Sequence, residues 1–435
     1  MAVDFAKRTL ENGLDVIVHE DHALPIVAVN IWYHVGSKDE RPRRTGFAHL
    51  FEHLMFEGSA HHDRGYFPPL QEAGASINGS TNADRTNYWE VVPTQALDLA
   101  LWMESDRMGW LLPALTQEKF DNQREVVLNE RRQNYENRPY GFAQVALARA
   151  LYPEGHPYRW PTIGEVDDLR AATVAEAQEF FRRYYHPGNA SLVLAGDVTA
   201  DEGFALAERY FGGIPRGPHV QRPAIAPVPA AAPARWVLED RIEYPRVHLA
   251  WHSPRLFAEG DAEFDLLGDI LANGKTSRLY RTLVHERRIA LDVVASQSSR
   301  EAGGVFQVVS TAAGPESLTA IHDAMCDEIS RLSDDGPGED ELARVMVQAE
   351  ANFVYRIQTI GGFSGKSDQL NAYNVFLGSP GGFDRDLDRY RRATRESVRE
   401  AARRFLSLPA RAALSIVAQG RADLALPGSL PASVQ

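Results

Sequence analysis

Three residues within five positions could do chemistry together: His49, Glu52 and His53, in the run His49-Leu50-Phe51-Glu52-His53. The stretch around them reads as helix, with Thr45 placed to cap it. Residues four apart on a helix share a face, one turn from each other. Two imidazoles so placed can hold one Zn²⁺ with bonds of about 2.0–2.1 Å. Glu52 lies beside His53 and can point toward the same metal. A carboxylate there can take a proton from a metal-bound water and later pass it to a leaving amine. The same pattern could arise by chance on a solvated helix face. However, Phe47, Leu50, Phe51, Leu54, Met55 and Phe56 around it are apolar, which predicts a largely buried helix. Buried histidines and carboxylates need partners.

A zinc hydrolase needs a third protein ligand. Glu130 is the best candidate, with 76 residues between it and His53, in the helical stretch REVVLNERRQNYENRPYG. Glu125 is nearer in sequence, but five residues of helix turn it about 140° away from Glu130. On spacing alone, Glu130 reads equally well as a surface carboxylate paired with Arg131 or another arginine. Cys326 is the only cysteine, so multi-cysteine zinc sites and intrachain disulfides are both excluded.

The elements that must position these residues fall into two similar sets. Strands are predicted at 14–19, 26–34, 76–78, 86–92 and 190–196, with Asn12-Gly13 as a turn before the first. Helical patterns lie between them at 46–57, 95–111, 116–136, 142–151 and 201–211. Six prolines, at 215, 218, 223, 227, 229 and 233, then favour an extended linker over helix or central strand. Beyond it come a strand at 247–253, helices at 261–273 and 277–287, and strands at 291–299 and 304–311. Helices at 316–333 and 338–357 and a strand at 412–417 follow. Gly58 and Gly274 mark the same place after matching helices, and QREVVLNERRQNYE (123–136) is similar to ARVMVQAEANFVY (343–355). The expectation is an α+β fold of two homologous domains, each a mainly antiparallel sheet with helices packed on it. Domain boundaries are expected at 1–214, carrying the metal motif, a Pro-rich linker at 215–235, and 236–435, lacking the motif.

The 435 residues are 44% hydrophobic and 24% charged, which excludes disorder as the main state. Lys and Arg number 46 against 59 Asp and Glu, for a net charge of −13. Such a chain is a poor general binder of nucleic acid or anionic membrane. No run of about 18 apolar residues predicts a membrane span. The first residues lack the apolar core of a signal peptide, so the chain as given reads as cytoplasmic; it would be periplasmic if a signal peptide has been removed.

Inverted H-x-x-E-H followed by a distant glutamate is the inverzincin signature. Together with TGFAHLFEHLMFEGS (45–59), INGSTNADRTNYWEVVP (77–93), YYHPGNASLVLAGD (184–197) and GKTSRLYRTLVHERRIALDV (274–293), it resembles the pitrilysin, insulin-degrading enzyme and mitochondrial processing peptidase family. The resemblance covers nearly the whole chain. It implies that His49, His53 and Glu130 are zinc ligands and that Glu52 is the catalytic base. It places Asn78 and Gly79 on an edge strand that binds substrate backbone as an added strand. Without the resemblance, Asn78-Gly79 reads as an ordinary turn.

Two departures from the family pattern stand out. Gln123 occupies a position that is often acidic, two helical turns before the third ligand. In the second half, Val284 and Leu291 stand where active members have an Arg and a Tyr that bind substrate and the oxyanion. The resemblance implies a zinc endopeptidase subunit acting on peptides or unfolded segments within a chamber of four such domains, two of them from this chain. A heterodimer with a homologous chain, lacking the zinc motif and carrying the Arg-Tyr pair, is expected. The alternatives are a homodimer in which Arg278, Arg281 or Tyr280 substitutes, a non-catalytic structural subunit, and a peptide-binding module.

Overall fold

The computed structural model describes residues 3–222, 224–226, 228, 233–314 and 318–434. In chain order the strands are β1 (Ala6–Thr9), β2 (Asp15–Glu20), β3 (Ile26–Tyr33), β4 (Ser76–Thr81), β5 (Thr86–Pro93), β6 (Ala190–Gly196), β7 (Ala234–Asp240), β8 (Arg246–Ser253), β9 (Ala290–Ser298), β10 (Gly304–Ala312), β11 (Ala412–Ala418) and β12 (Leu430–Pro431). The helices before the Pro-rich segment are α1 (Phe47–Leu54), α2 (Phe67–Glu72), α3 (Leu97–Ala114), α4 (Gln117–Arg131), α5 (Ala143–Leu151), α6 (Val166–Ala171), α7 (Val174–Tyr184) and α8 (Ala200–Phe211). Those after it are α9 (Asp261–Ala272), α10 (Leu318–Asp335), α11 (Glu339–Arg356), α12 (Lys366–Leu377), α13 (Phe383–Arg391) and α14 (Arg395–Phe405). The helix expected at 277–287 includes a π-helical turn, Tyr280–Glu286. Pro223, Pro227 and Pro229 of the expected linker, and residues 316 and 317 of an expected helix, lie outside the described residues.

Two compact units result. The first takes the chain as far as Glu130, with Trp160–Ala224 and Phe353–Arg385; the second takes Arg131–Arg159, Ile225–Asn352 and the chain from Asp386 onward. Each unit holds one six-stranded mixed sheet flanked by helices, an α+β architecture as expected. The first sheet runs β1-β2-β6-β3-β5-β4, antiparallel except at β2–β6. The second runs β12-β7-β11-β8-β10-β9, with parallel pairs at β12–β7 and β7–β11. Strands β2 to β6 and β7 to β11 occupy matching places, which is the duplication expected from the sequence. In both sheets the third of the five, β4 or β9, lies at an edge.

The burial of β3 on both sides, apolar except at Asn30, follows from helices on both of its faces. On one face, the Tyr33 ring meets those of Tyr88 and Tyr185, with centroids 6.1 and 4.9 Å apart. On the other, Trp32 donates its indole N–H to Asp368 of α12 at 2.9 Å, and Asn371 of α12 donates to the Asn30 carbonyl at 2.9 Å. In the second unit, α5 covers β11 and β8, where the His252 ring bonds the Leu151 carbonyl at 3.1 Å. The other face buries Trp251, Phe264 and Phe306 in a core with Leu267, Ile321 and Val398. Among the described residues, no helix is long and apolar enough to cross a membrane.

Candidate metal centre

Helix α1 is only eight residues long, so its ends matter to its stability. Gly46 precedes it with φ of 92°, and a Cβ there would stand 2.9 Å from the Ile163 carbonyl oxygen. The Glu40 carboxylate accepts the N–H groups of Gly46 and Ala48 at 2.9 and 2.8 Å, satisfying the first turn from outside the helix. Thr45, expected to be the cap, instead donates its hydroxyl to Asp168 at 2.6 Å and accepts the Glu165 N–H at 2.9 Å. The glycine takes the capping position, which leaves the threonine bonded to the first turn of α6. Phe51 anchors the buried face against Phe180, Phe181 and Tyr185, and Tyr88 of β5 donates to its carbonyl at 3.3 Å.

The opposite face carries His49, Glu52 and His53. Helix α4 brings Glu130 to it, with Oε2 at 3.6 Å from His49 Nε2 and 3.4 Å from His53 Nε2. One ligand atom from each of the three lies within 4.8 Å of the others. Tetrahedral bonds of about 2.0–2.1 Å would set ligand atoms about 3.3–3.4 Å apart, so the three groups fit one zinc ion. His49 Nδ1 is buried without a hydrogen-bond partner among the described residues. Glu125 is not among the converging groups.

The electrostatics suit a ligand set. Burial pushes His49 down to about 4, helped by the neighbouring His53, so it is neutral and free to coordinate at neutral pH. For His53 burial also pulls downward, but the bond to Glu130 and the charge of Glu52 outweigh it and raise the ring. The same bond to His53 holds Glu130 below the ordinary carboxylate value. Burial lifts Glu52 above its ordinary value, with the Thr81 hydroxyl, His53 and Arg85 pulling the other way. A carboxylate of raised proton affinity beside the ligands can accept a proton from water.

Asn78 and Gly79 lie in edge strand β4, paired with Trp89 and Tyr88. Gly79 is buried, and a Cβ on it would press Phe56 and Tyr88 at 3.1 Å. Its N–H is taken by the Asn78 side-chain oxygen at 2.8 Å. Three residues around the site did not stand out in the sequence. Glu40 caps α1 without any local capping pattern. Arg85 lies inside the INGSTNADRTNYWEVVP run, and it holds β4 by donating to the Ser80 carbonyl at 2.8 Å. Glu57 accepts a hydrogen bond from the Gln123 amide. In the second unit, Val284 packs against the core and Leu291 is exposed on edge strand β9. Arg278 is held by Glu341 through bonds of 2.9 and 2.6 Å.

Two family models match the chain: Insulinase (Peptidase family M16) over residues 15–157 and Peptidase M16 inactive domain over residues 171–348. The chain belongs to the M16 peptidase family. All three converging groups fall in the first matched span. M16 relatives include the zinc protease PqqE of Helicobacter pylori, 26% identical over 366 residues, which cover 82% of this chain and 81% of the relative. An uncharacterized zinc protease of Streptomyces coelicolor is 24% identical over 423 residues, 94% of this chain and 89% of its own. Among solved structures, a protease from Helicobacter pylori superposes with a TM-score of 0.87 at 22% identity, covering 96% of this chain and 99% of the other. The first half of the periplasmic protease PqqL from Escherichia coli gives 0.77 at 18% identity, with 99% and 95% covered. At these identities the superpositions establish the M16 fold.

Proposed function

We propose that this chain is the zinc-bearing subunit of an endopeptidase that cleaves peptides or unfolded segments. The observation that carries the reading is the convergence of His49 and His53 from α1 with Glu130 from α4, next to the half-buried Glu52. When bound, the ion supplies Lewis-acid polarisation of the scissile carbonyl and lowers the pKa of its water toward about 7. Glu52 takes the proton from the attacking water and hands it to the leaving amine. Asn78 and Gly79, on an edge strand, hold the substrate backbone in extended form.

An oxyanion donor is the missing part. One such donor is worth about 2.7–4 kcal/mol in the transition state. Neither Val284 nor Leu291 can donate a hydrogen bond. Arg278 could serve only by leaving Glu341, which disfavours it as a substitute in a homodimer. We therefore favour a heterodimer with a homologous chain that lacks the zinc motif and carries an Arg-Tyr pair, enclosing a chamber that compact folded proteins do not enter. The whole of PqqL, of whose length this chain covers 49%, is a protein that carries two such lengths in one polypeptide.

The test is peptide cleavage by this chain alone, by the homologous partner alone and by their mixture. Activity confined to the mixture is the expected result. Full activity from this chain alone, unchanged on adding the partner, favours the homodimer. Zinc binding with no cleavage in any arm favours a structural or peptide-binding subunit.

A further inference from the structure

Along β4 the side chains alternate between the two faces of the first sheet. Gly79 faces α1, since a Cβ on it would press Phe56. Ser80 faces α12: its hydroxyl donates to Asn87 at 2.7 Å, and Asn87 donates to Asp368 of α12 at 3.2 Å. Ser76 and Asn78 share the face of Ser80 and stand opposite Val91 and Trp89 of β5.

A cavity of about 530 Å³ opens on this face, wholly within the first unit. Ser76, Trp89, Val91 and Ile26 form its sheet side, Leu24 its rim, and residues 358–362, between α11 and α12, its other wall. That wall is fixed in place. Asp368 accepts the Ser364 N–H at 2.8 Å, and the Ile360 carbonyl accepts the Ser367 N–H at 3.0 Å. At Gly361 the backbone lies so near the sheet that a Cβ would stand 2.8 Å from that of Ala28. The Phe363 ring meets Trp89 edge-on at 5.4 Å. Asp21 is the one charged residue in the lining, and the Lys366 ammonium neutralises it at 2.8 Å. Such a cavity rewards an apolar group and offers a charged one no partner.

A strand added to β4 would keep the pleat of the sheet. Its residue opposite Ser76 would point toward the cavity, and its residue opposite Gly79, three positions along, toward α1. We propose that the cavity is a specificity subsite for a large apolar side chain, aromatic or branched aliphatic, of a peptide bound along β4. This rests on the reading of β4 as the substrate edge, and it names a substrate class within that reading. The selected side chain stands about 10 Å along the peptide from the one facing α1, so the choice is made away from the metal.

Binding tests the subsite without requiring catalysis. Fluorescein-labelled nonapeptides of Ala and Ser, with Phe, Ser or Lys at the centre, are titrated by anisotropy against the full chain carrying Glu52→Gln, which prevents turnover. The Phe peptide should bind about tenfold tighter than the Ser peptide, and the Lys peptide no tighter than Ser. Leu24 is 61% exposed, so Leu24→Glu should leave the melting temperature unchanged while abolishing the Phe advantage and making Lys the preferred residue. Thr359→Glu, on the opposite wall, should act in the same way. Equal affinity for the three peptides, or a Phe preference that survives both variants, overturns the subsite and leaves the reading of β4 standing. Failure of every peptide to bind overturns that reading and the subsite with it.

Discussion

The Glu40 carboxylate reaches across a turn of irregular chain to accept the Ala48 N–H at 2.8 Å, one residue before His49. The first turn of the metal-site helix is thus fastened by a residue outside the helix. Glu40→Ala leaves the Gly46 and Ala48 N–H groups without this acceptor. We expect a loss of about 1–3 kcal/mol in stability, read from chemical denaturation, and weaker zinc binding as the helix frays. An unchanged midpoint would show that solvent caps the helix as well as Glu40 does.

Zinc content tests the ligands directly. The purified chain should hold one zinc per subunit, and His49→Ala and Glu130→Ala should each lower that occupancy sharply on dialysis. Metal analysis that finds either variant as fully loaded as the parent removes that residue from the ligand set.

For Glu52 the informative change is to Gln, which keeps shape and takes away the proton acceptor. Turnover by the active assembly should fall by about 10²–10⁴-fold or more while zinc stays bound. Cleavage at the parent rate would rule Glu52 out as the base.

Asp265 in the second unit gives a pH prediction free of the metal. Burial raises its carboxyl to about 7 against a downward pull from the Tyr390 hydroxyl, which donates to it at 2.6 Å. Between the ordinary value near 3.8 and about 7, the folded protein binds a proton that the unfolded chain has released. Stability from this group is therefore full below pH 4 and is lost as pH rises toward 7. The loss is on the order of 4 kcal/mol. Denaturation at pH 5 and pH 8 should show a smaller fall for Asp265→Asn than for the parent. Equal falls in the two proteins would contradict a raised carboxyl.

Legibility from sequence tracked the kind of residue each element buries. Strand β3 was readable because its buried positions, Asn30 apart, are apolar or aromatic. Helix α12 was not, since the face it lays on the first sheet carries Ser367, Asp368, Asn371 and Asn374. That face has helical spacing, but its period is written in polar residues, which hydrophobic patterning does not register. Helix α7 was overlooked despite its T-x-x-E capping box, Thr173 to Glu176, a local signal that was there to be used. At the site, spacing alone brought out the two histidines, because i and i+4 on a helix fixes their geometry. Glu130 stayed ambiguous until α4 placed it against α1. The bond between Glu57 and Gln123 joins two residues 66 positions apart and has no local pattern at all.

The exchange of helices between the two sheets bears on how the protein can be taken apart. Helix α12, encoded after the Pro-rich segment, covers β3 and β6, while α5, encoded before it, covers β8 and β11. A protease cutting in the Pro-rich segment would leave two fragments that stay entangled, each supplying a piece of the other's interior. Expressed as separate polypeptides, the first would show a bare polar strip on its sheet and the second a bare face beside β11. Neither is then an autonomous folding module, and complementation of the two in one solution is the route by which they would regain the native state.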